Sequence, residues 1–127
     1  MGNDLVSSLS FAAAGMETQA MRLRHLSENI ANADTPGYHR KVMTFAEAMD
    51  TGLVEPGRVR LDQSDLVSIY DPGHPLADDT GYYDGSNVDL VIEIADAREA
   101  QRSYEANLRM FDQTRQMTQS LFDLLRR

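Results

Sequence analysis

The sequence predicts a mainly α fold: two long terminal helices pairing as an antiparallel, coiled-coil-like hairpin, with a small irregular β insert between them. Three observations predict it. Apolar residues recur at alternating spacings of four and three towards each end of the 127-residue chain. Proline, glycine and aspartate punctuate the stretch between. The charge is also segregated: residues 46–85 hold nine acids against two bases, while 1–45 hold four of each and 86–127 hold seven against six. Near-neutral ends can pack against other chains, whereas an acidic middle favours solvent.

The first helix is read from Leu5, Leu9, Ala12, Met16, Gln19, Leu23, Leu26, Ile30 and Ala33, a heptad seam broken only by Gln19. Asn3 is placed to cap it and Asp4 sits in the favourable first turn. Pro36 ends it, because the residue before proline is pushed out of the helical region. Such a helix runs roughly 45 Å at ~1.5 Å per residue. Within it, Ala12-Ala13-Ala14-Gly15 puts four small residues in succession. Glycine there costs about 1 kcal/mol relative to alanine, which either a close approach by another backbone offsets or the helix simply tolerates.

The middle reads differently. Thr35-Pro36-Gly37-Tyr38 has proline and glycine where a type II turn wants them. Val59–Leu61 and Leu66–Tyr70 are short β-like runs that Asp62-Gln63-Ser64-Asp65 would join as a hairpin. Asp71-Pro72-Gly73-His74-Pro75 and Asp84-Gly85-Ser86-Asn87 are further turns. The predicted segments are thus 1–35, an axial helix; 36–85, the insert; and 86–127, the second axial helix.

In that last segment Leu90, Ile94, Ala97, Gln101, Tyr104, Leu108, Phe111, Arg115, Thr118, Phe122 and Leu125 keep the four–three spacing, with Ser86 or Asn87 as cap. Hairpin closure then puts Leu5 near Phe122 and Ile30 near Ala97, with a few residues of slack in register. Each buried Leu, Ile or Phe contributes about 1.5–3 kcal/mol, but two helices cannot enclose a full core, and isolated helices in water are marginal. Unmet apolar surface implies neighbours. The candidate assembly interface is therefore Leu9, Met16, Leu23, Leu26 and Ile30 on the first helix, with Tyr104, Leu108, Phe111 and Phe122 on the second.

Several function classes fall away. With no cysteine, disulfides, thiolate metal sites and thiol nucleophiles are excluded. A net charge of −8 argues against nucleic acid. No basic, apolar leader opens the sequence and no stretch approaches a membrane span, so neither a cleaved signal nor membrane insertion is expected. His74, Asp78, Asp79 and Asp84 gather in the insert, but as a calcium loop from Asp78 the pattern places Tyr83 where glycine is required. They read as turn-forming acids. No catalytic residue, metal site or cofactor is expected.

Ser27-Glu28-Asn29-Ile30-Ala31-Asn32-Ala33-Asp34-Thr35-Pro36-Gly37-Tyr38, after Ala13-Ala14-Gly15-Met16, resembles the opening signature of the flagellar axial proteins. Tyr70-Asp71-Pro72-Gly73-His74-Pro75, Asn87-Val88-Asp89-Leu90-Val91 and Arg102-Ser103-Tyr104-Glu105-Ala106-Asn107-Leu108 narrow the likeness to the bacterial flagellar basal-body rod protein family. Two proximal-rod members share Asn32–Tyr38 and Asn87–Leu90, and both readings stand; residues 46–68 match neither. The resemblance implies a non-enzymatic subunit that polymerises helically into the proximal rod and transmits torque. It also implies export from the cytoplasm to a periplasmic rod, self-association, and other flagellar rod subunits and the export-gate base as partners. A soluble helical adaptor is the alternative from another class, and a metal-dependent enzyme using His74 the third.

Overall fold

The computed structural model describes residues 2–126, and side chains from Asp4 onward. Helix α1 spans Gly2–Ala31 and α2 spans Leu90–Leu125; between them lie strands β1, Lys41–Glu47, β2, Val54–Leu61, β3, Ser68–Tyr70, and β4, Tyr82–Asp84. At ~1.5 Å per residue the helices are about 45 and 54 Å long. The fold class is the predicted one: two long antiparallel helices carrying a small β insert.

The caps differ from expectation. Asn3 lies inside the first turn of α1, and α2 is capped by Asp89, whose carboxylate accepts from the Val91 amide at 3.0 Å. Ser86 and Asn87 lie too far before Leu90 to cap the helix and tie other segments instead: the Ser86 hydroxyl donates to the Ala33 carbonyl, and the Asn87 side-chain amide to the Asp62 carbonyl at 2.9 Å. The turn after α1 is as predicted. Gly37 has φ 75°, the left-handed value a type II turn needs, and the Tyr38 amide donates back to the Thr35 carbonyl at 3.2 Å.

The predicted hairpin across Asp62–Asp65 does not form. Val59 and Leu61 close β2, which pairs antiparallel with β1 through Lys41↔Leu61 and Met43↔Val59, with a bulge between Met43 and Phe45. Residues 68–70 pair instead with β4, Ile69 opposite Tyr83. Asp62–Asp65 cannot close a tight turn because it is tied elsewhere. The Asp62 amide extends the ladder to the Arg40 carbonyl at 2.9 Å, while Asn87 reaches the Asp62 and Ser64 carbonyls. The β1–β2 hairpin lies along the C-terminal half of α1: Thr18 donates to the Val54 carbonyl at 3.5 Å and Asn29 to the Lys41 carbonyl at 2.9 Å.

The core is thin and largely polar. Among the described residues Ala12, Leu26 and Ala100 are the buried apolar ones, whereas the largest side chains removed entirely from solvent are Glu93, Asn29 and Thr18. Two helices with a flap on one side leave the apolar surface mostly outside.

Candidate assembly surface

Polar contacts set the helix register. Asn29 donates to Glu93 at 3.2 Å, Arg22 pairs with Glu99 at 3.7 Å, and a Cβ built on Gly15 would lie 2.6 Å from the Asn107 carboxamide oxygen. The fourteen positions from Asn29 back to Gly15 match the fourteen from Glu93 on to Asn107, so the helices run antiparallel without slippage. By this register Leu5 stands opposite Met117 and Ile30 opposite Ile92, so both expected pairs, Leu5 with Phe122 and Ile30 with Ala97, are displaced by the same five positions, although Leu5 and Phe122 still line one groove.

The inward face of α1 coincides only in part with the predicted seam, since Gly15, Thr18 and Asn29, which lie outside it, are buried. Ala12 and Leu26 are buried, and Leu5, Leu9, Met16, Gln19, Leu23, Ile30 and Ala33 are all half-buried. On α2 the packed face is rotated from the predicted one. Ala97, Tyr104, Phe111 and Thr118 belong to both, but inward positions between them are Glu93, Ala100, Asn107 and Thr114, while their neighbours Ile94, Gln101, Leu108 and Arg115 are exposed. The helices approach closely here: Gly15 opens the space that Asn107 fills, so Gly15 marks an approach by a side chain, not by a backbone.

A polar node lies at the closed end of the hairpin. Asn29 Oδ1 accepts from the Tyr38 hydroxyl and the Lys41 amide, both at 2.8 Å, while its Nδ2 reaches Glu93. Glu93 also accepts from Arg40 Nε, and Arg40 Nη1 bonds Asp62 at 3.3 Å. The Arg40 amide donates to Asn87 Oδ1 at 2.7 Å. Burial works against the Arg40 charge, but Glu93 and then Asp62 more than offset it, holding the guanidinium above its ordinary value. Amide and hydroxyl donors of Ser64, then Arg40, hold Asp62 below the usual carboxylate range. Burial pushes the Tyr38 phenol up. Sequence reasoning missed Arg40, Asp62 and Glu93. The available signal was Asn29 itself, one position before the seam residue Ile30 in a stretch rich in other polar residues.

At the open end the helices are flanked by two grooves. One, about 550 Å³, is lined by Leu5, Val6, Leu9, Thr118, Phe122 and Leu125 among others. A second, about 720 Å³, is lined by Leu5, Gln113, Met117, Ser120 and Leu124. At 100° per residue, Thr118, Phe122 and Leu125 edge the first groove and Gln113 and Met117 the second, and Leu5, Leu121 and Leu124 line both. Of the candidate interface residues, Leu9, Met16, Leu23, Ile30, Tyr104 and Phe111 are half-buried within the hairpin and Leu26 is buried. Leu108 and Phe122 face solvent at 41% and 59% exposure. Val91 at 78% and Leu125 at 83% extend this outer surface to both ends of α2.

The loop from Asp71 to Gly81 is self-contained. Asp78 Oδ1 accepts from the Thr80 amide, the Thr80 hydroxyl and the Tyr82 amide, and these bonds hold its carboxyl below the ordinary range. The His74 ring stacks on Tyr83, centroids 3.9 Å apart. Among the described residues no group of three or more His, Asp or Glu is placed to hold a metal ion, and no helix is long and apolar enough to cross a membrane.

Two family models match the chain: residues 9–39 match "Flagella basal body rod protein", and residues 79–124 match "Flagellar basal body rod FlgEFG protein C-terminal". The chain is 45% identical to the flagellar basal-body rod protein FlgC of Agrobacterium fabrum, over 96% of each chain. Identity to FlgC of Aquifex aeolicus is 33%, over 94% of this chain and 96% of that one. For FlgC of Salmonella typhimurium it is 32%, over 89% and 92%.

Proposed function

Since the chain belongs to the FlgC family of flagellar basal-body rod proteins and is a structural rod subunit of the flagellum, we propose that it assembles through the outer face of α2 and the two grooves at the open end of its hairpin. The observation that carries this reading is that α2 leaves Val91, Ile94, Leu108, Phe122 and Leu125 exposed, and that its end runs into two adjoining grooves that share Leu5, Leu121 and Leu124. A surface that meets a different patch on its neighbour makes heterologous contacts, which continue from subunit to subunit instead of closing on a pair.

The partners are further copies and other rod subunits, with the export-gate base at one end of the array, and the site of action is the periplasmic part of the basal body, reached after export from the cytoplasm. The chain works as three units, 1–35 and 86–127 as the axial helices and 36–85 as the insert carried on them. It transmits torque and catalyses nothing. Leu9, Met16, Leu23, Leu26 and Ile30 with Tyr104 and Phe111 hold the hairpin together, and Leu108 and Phe122 meet the neighbour. Electron microscopy of isolated basal bodies, with this subunit located in the density, tests the reading. Density for α2 whose outer face touches no neighbour would overturn it.

A further inference from the structure

The packed face of α2 is not its most apolar face. Turning the helix by about 50°, half of one residue's 100° step, would exchange Glu93, Ala100, Asn107 and Thr114 for Ile94, Gln101, Leu108 and Arg115. That turn buries Ile94 and Leu108, which are 42% and 41% exposed, and frees a glutamate that is fully buried. Hydrophobic burial alone favours the turn. Something holds the helix against it.

We infer that two polar keys, Glu93 held by Asn29 and Arg40, and Asn107 seated over Gly15, fix the rotation of α2 so that its apolar stripe stays on the outside of the subunit. Swinging Glu93 outward would leave the Asn29 amide, itself fully buried, and the Arg40 guanidinium without their carboxylate. At the second key a leucine would replace the carboxamide for which Gly15 leaves room. The keys lie fourteen residues apart on each helix and therefore fix rotation and register together. A single buried polar residue can set register and orientation in paired helices at a cost in stability. Here the cost falls on the free subunit, and the exposed stripe is left for neighbours. This last clause rests on the assembly reading above; the lock itself does not.

The chain lacks cysteine, so single thiols report the rotation cleanly. Ala100 is fully buried and Gln101 exposed. In the otherwise unaltered full chain, alkylation at Gln101→Cys should outpace that at Ala100→Cys by about tenfold or more, the protection expected of a packed position. Combining Arg40→Leu with Glu93→Leu should bring the two rates together or invert them. Glu93→Gln, which keeps the shape and one acceptor for the Asn29 amide but loses the acceptor for Arg40 Nε, should label closer to the parent than the double variant does. Three results would overturn the lock: equal labelling of the two thiols in the parent, an unchanged ratio in the double variant, or a double variant that loses its helical circular dichroism while Glu93→Gln keeps it. The last would make the node a requirement for folding alone. Sedimentation of the double variant separates the two readings. A changed labelling ratio with undiminished polymerisation upholds the lock and defeats the outer face of α2 as an assembly surface.

Discussion

Gly15 and Asn107 fit each other so closely that any side chain on the first would displace the second: a Cβ at position 15 would lie 2.6 Å from Asn107 Oδ1 and 2.8 Å from Nδ2. Alanine ordinarily improves a helix interior by about 1 kcal/mol over glycine. Overpacking costs typically 1–3 kcal/mol, and Asn107 cannot swing freely because its Nδ2 donates to the Ser103 carbonyl at 2.9 Å. Gly15→Ala should therefore destabilise the folded chain by about 1 kcal/mol net. In an Asn107→Ala background the same substitution should become stabilising. Urea denaturation of the four-member cycle measures the coupling, and additive effects would mean the two residues do not meet.

Arg40 is the cation beside a carboxylate that has no exposure at all. Removing one member of a buried pair costs about 3–5 kcal/mol because the other charge is stranded. Arg40→Met should show a loss of that order in chemical denaturation, and Arg40→Met combined with Glu93→Leu should recover most of it. A loss below about 1 kcal/mol for Arg40→Met would place it among ordinary surface changes.

Stability should fall with acid. Asp62 is held low by the Ser64 donors and then Arg40, and Glu28 by its hydrogen bond from Lys41. A carboxyl whose folded pKa is depressed contributes stability that is complete above its unfolded value, near 4, and is lost as pH drops through the folded one. Urea midpoints should thus be flat near neutrality and decline below about pH 4. Ser64→Ala and Lys41→Met should each make that decline shallower. Lys41, raised by the same bond to Glu28, loses its contribution only in strong alkali, as pH climbs through its folded pKa.

Leu108→Asp tests the outer face in cells. Leu108 is 41% exposed, so the isolated subunit should lose no more than about 0.5 kcal/mol. On the assembly reading proposed above, the same position becomes a contact repeated at each copy of the array, and a buried unpaired charge is costly. Cells carrying the variant should export the subunit, build no rod beyond it and fail to spread in soft agar. Normal spreading would remove Leu108 from the interface.

The helical hairpin was legible because heptad spacing survives whatever the helices pack against. The rotation of α2 was not, for a physical reason. Periodicity ranks faces by apolar content, and the winning face, Glu93, Ala97, Ala100, Asn107, is small and polar because its partners are Asn29, Arg40 and the notch at Gly15. The strand at Lys41–Glu47 escaped notice, and with it the pairing of Val59–Leu61, since the nearer run at Leu66–Tyr70 offered a shorter connection. The signature segments around Asn29, Tyr38 and Asn87 were read as a resemblance. In the fold they are one cluster, where Tyr38 bonds Asn29 and Asn87 bonds the Arg40 amide.

The antiparallel pairing also has a consequence in time. Asn29 and Glu93 stand 64 positions apart, and Leu5 and Phe122, which share a groove, are farther still. Contacts among His39, Arg40, Asp62 and Asn87 span only 22 to 47 positions, so the middle can close before the two helices meet. On the export route proposed above, a chain threaded with α1 leading would have that helix at the destination before α2 exists there, and any helix it met in that interval would belong to another molecule.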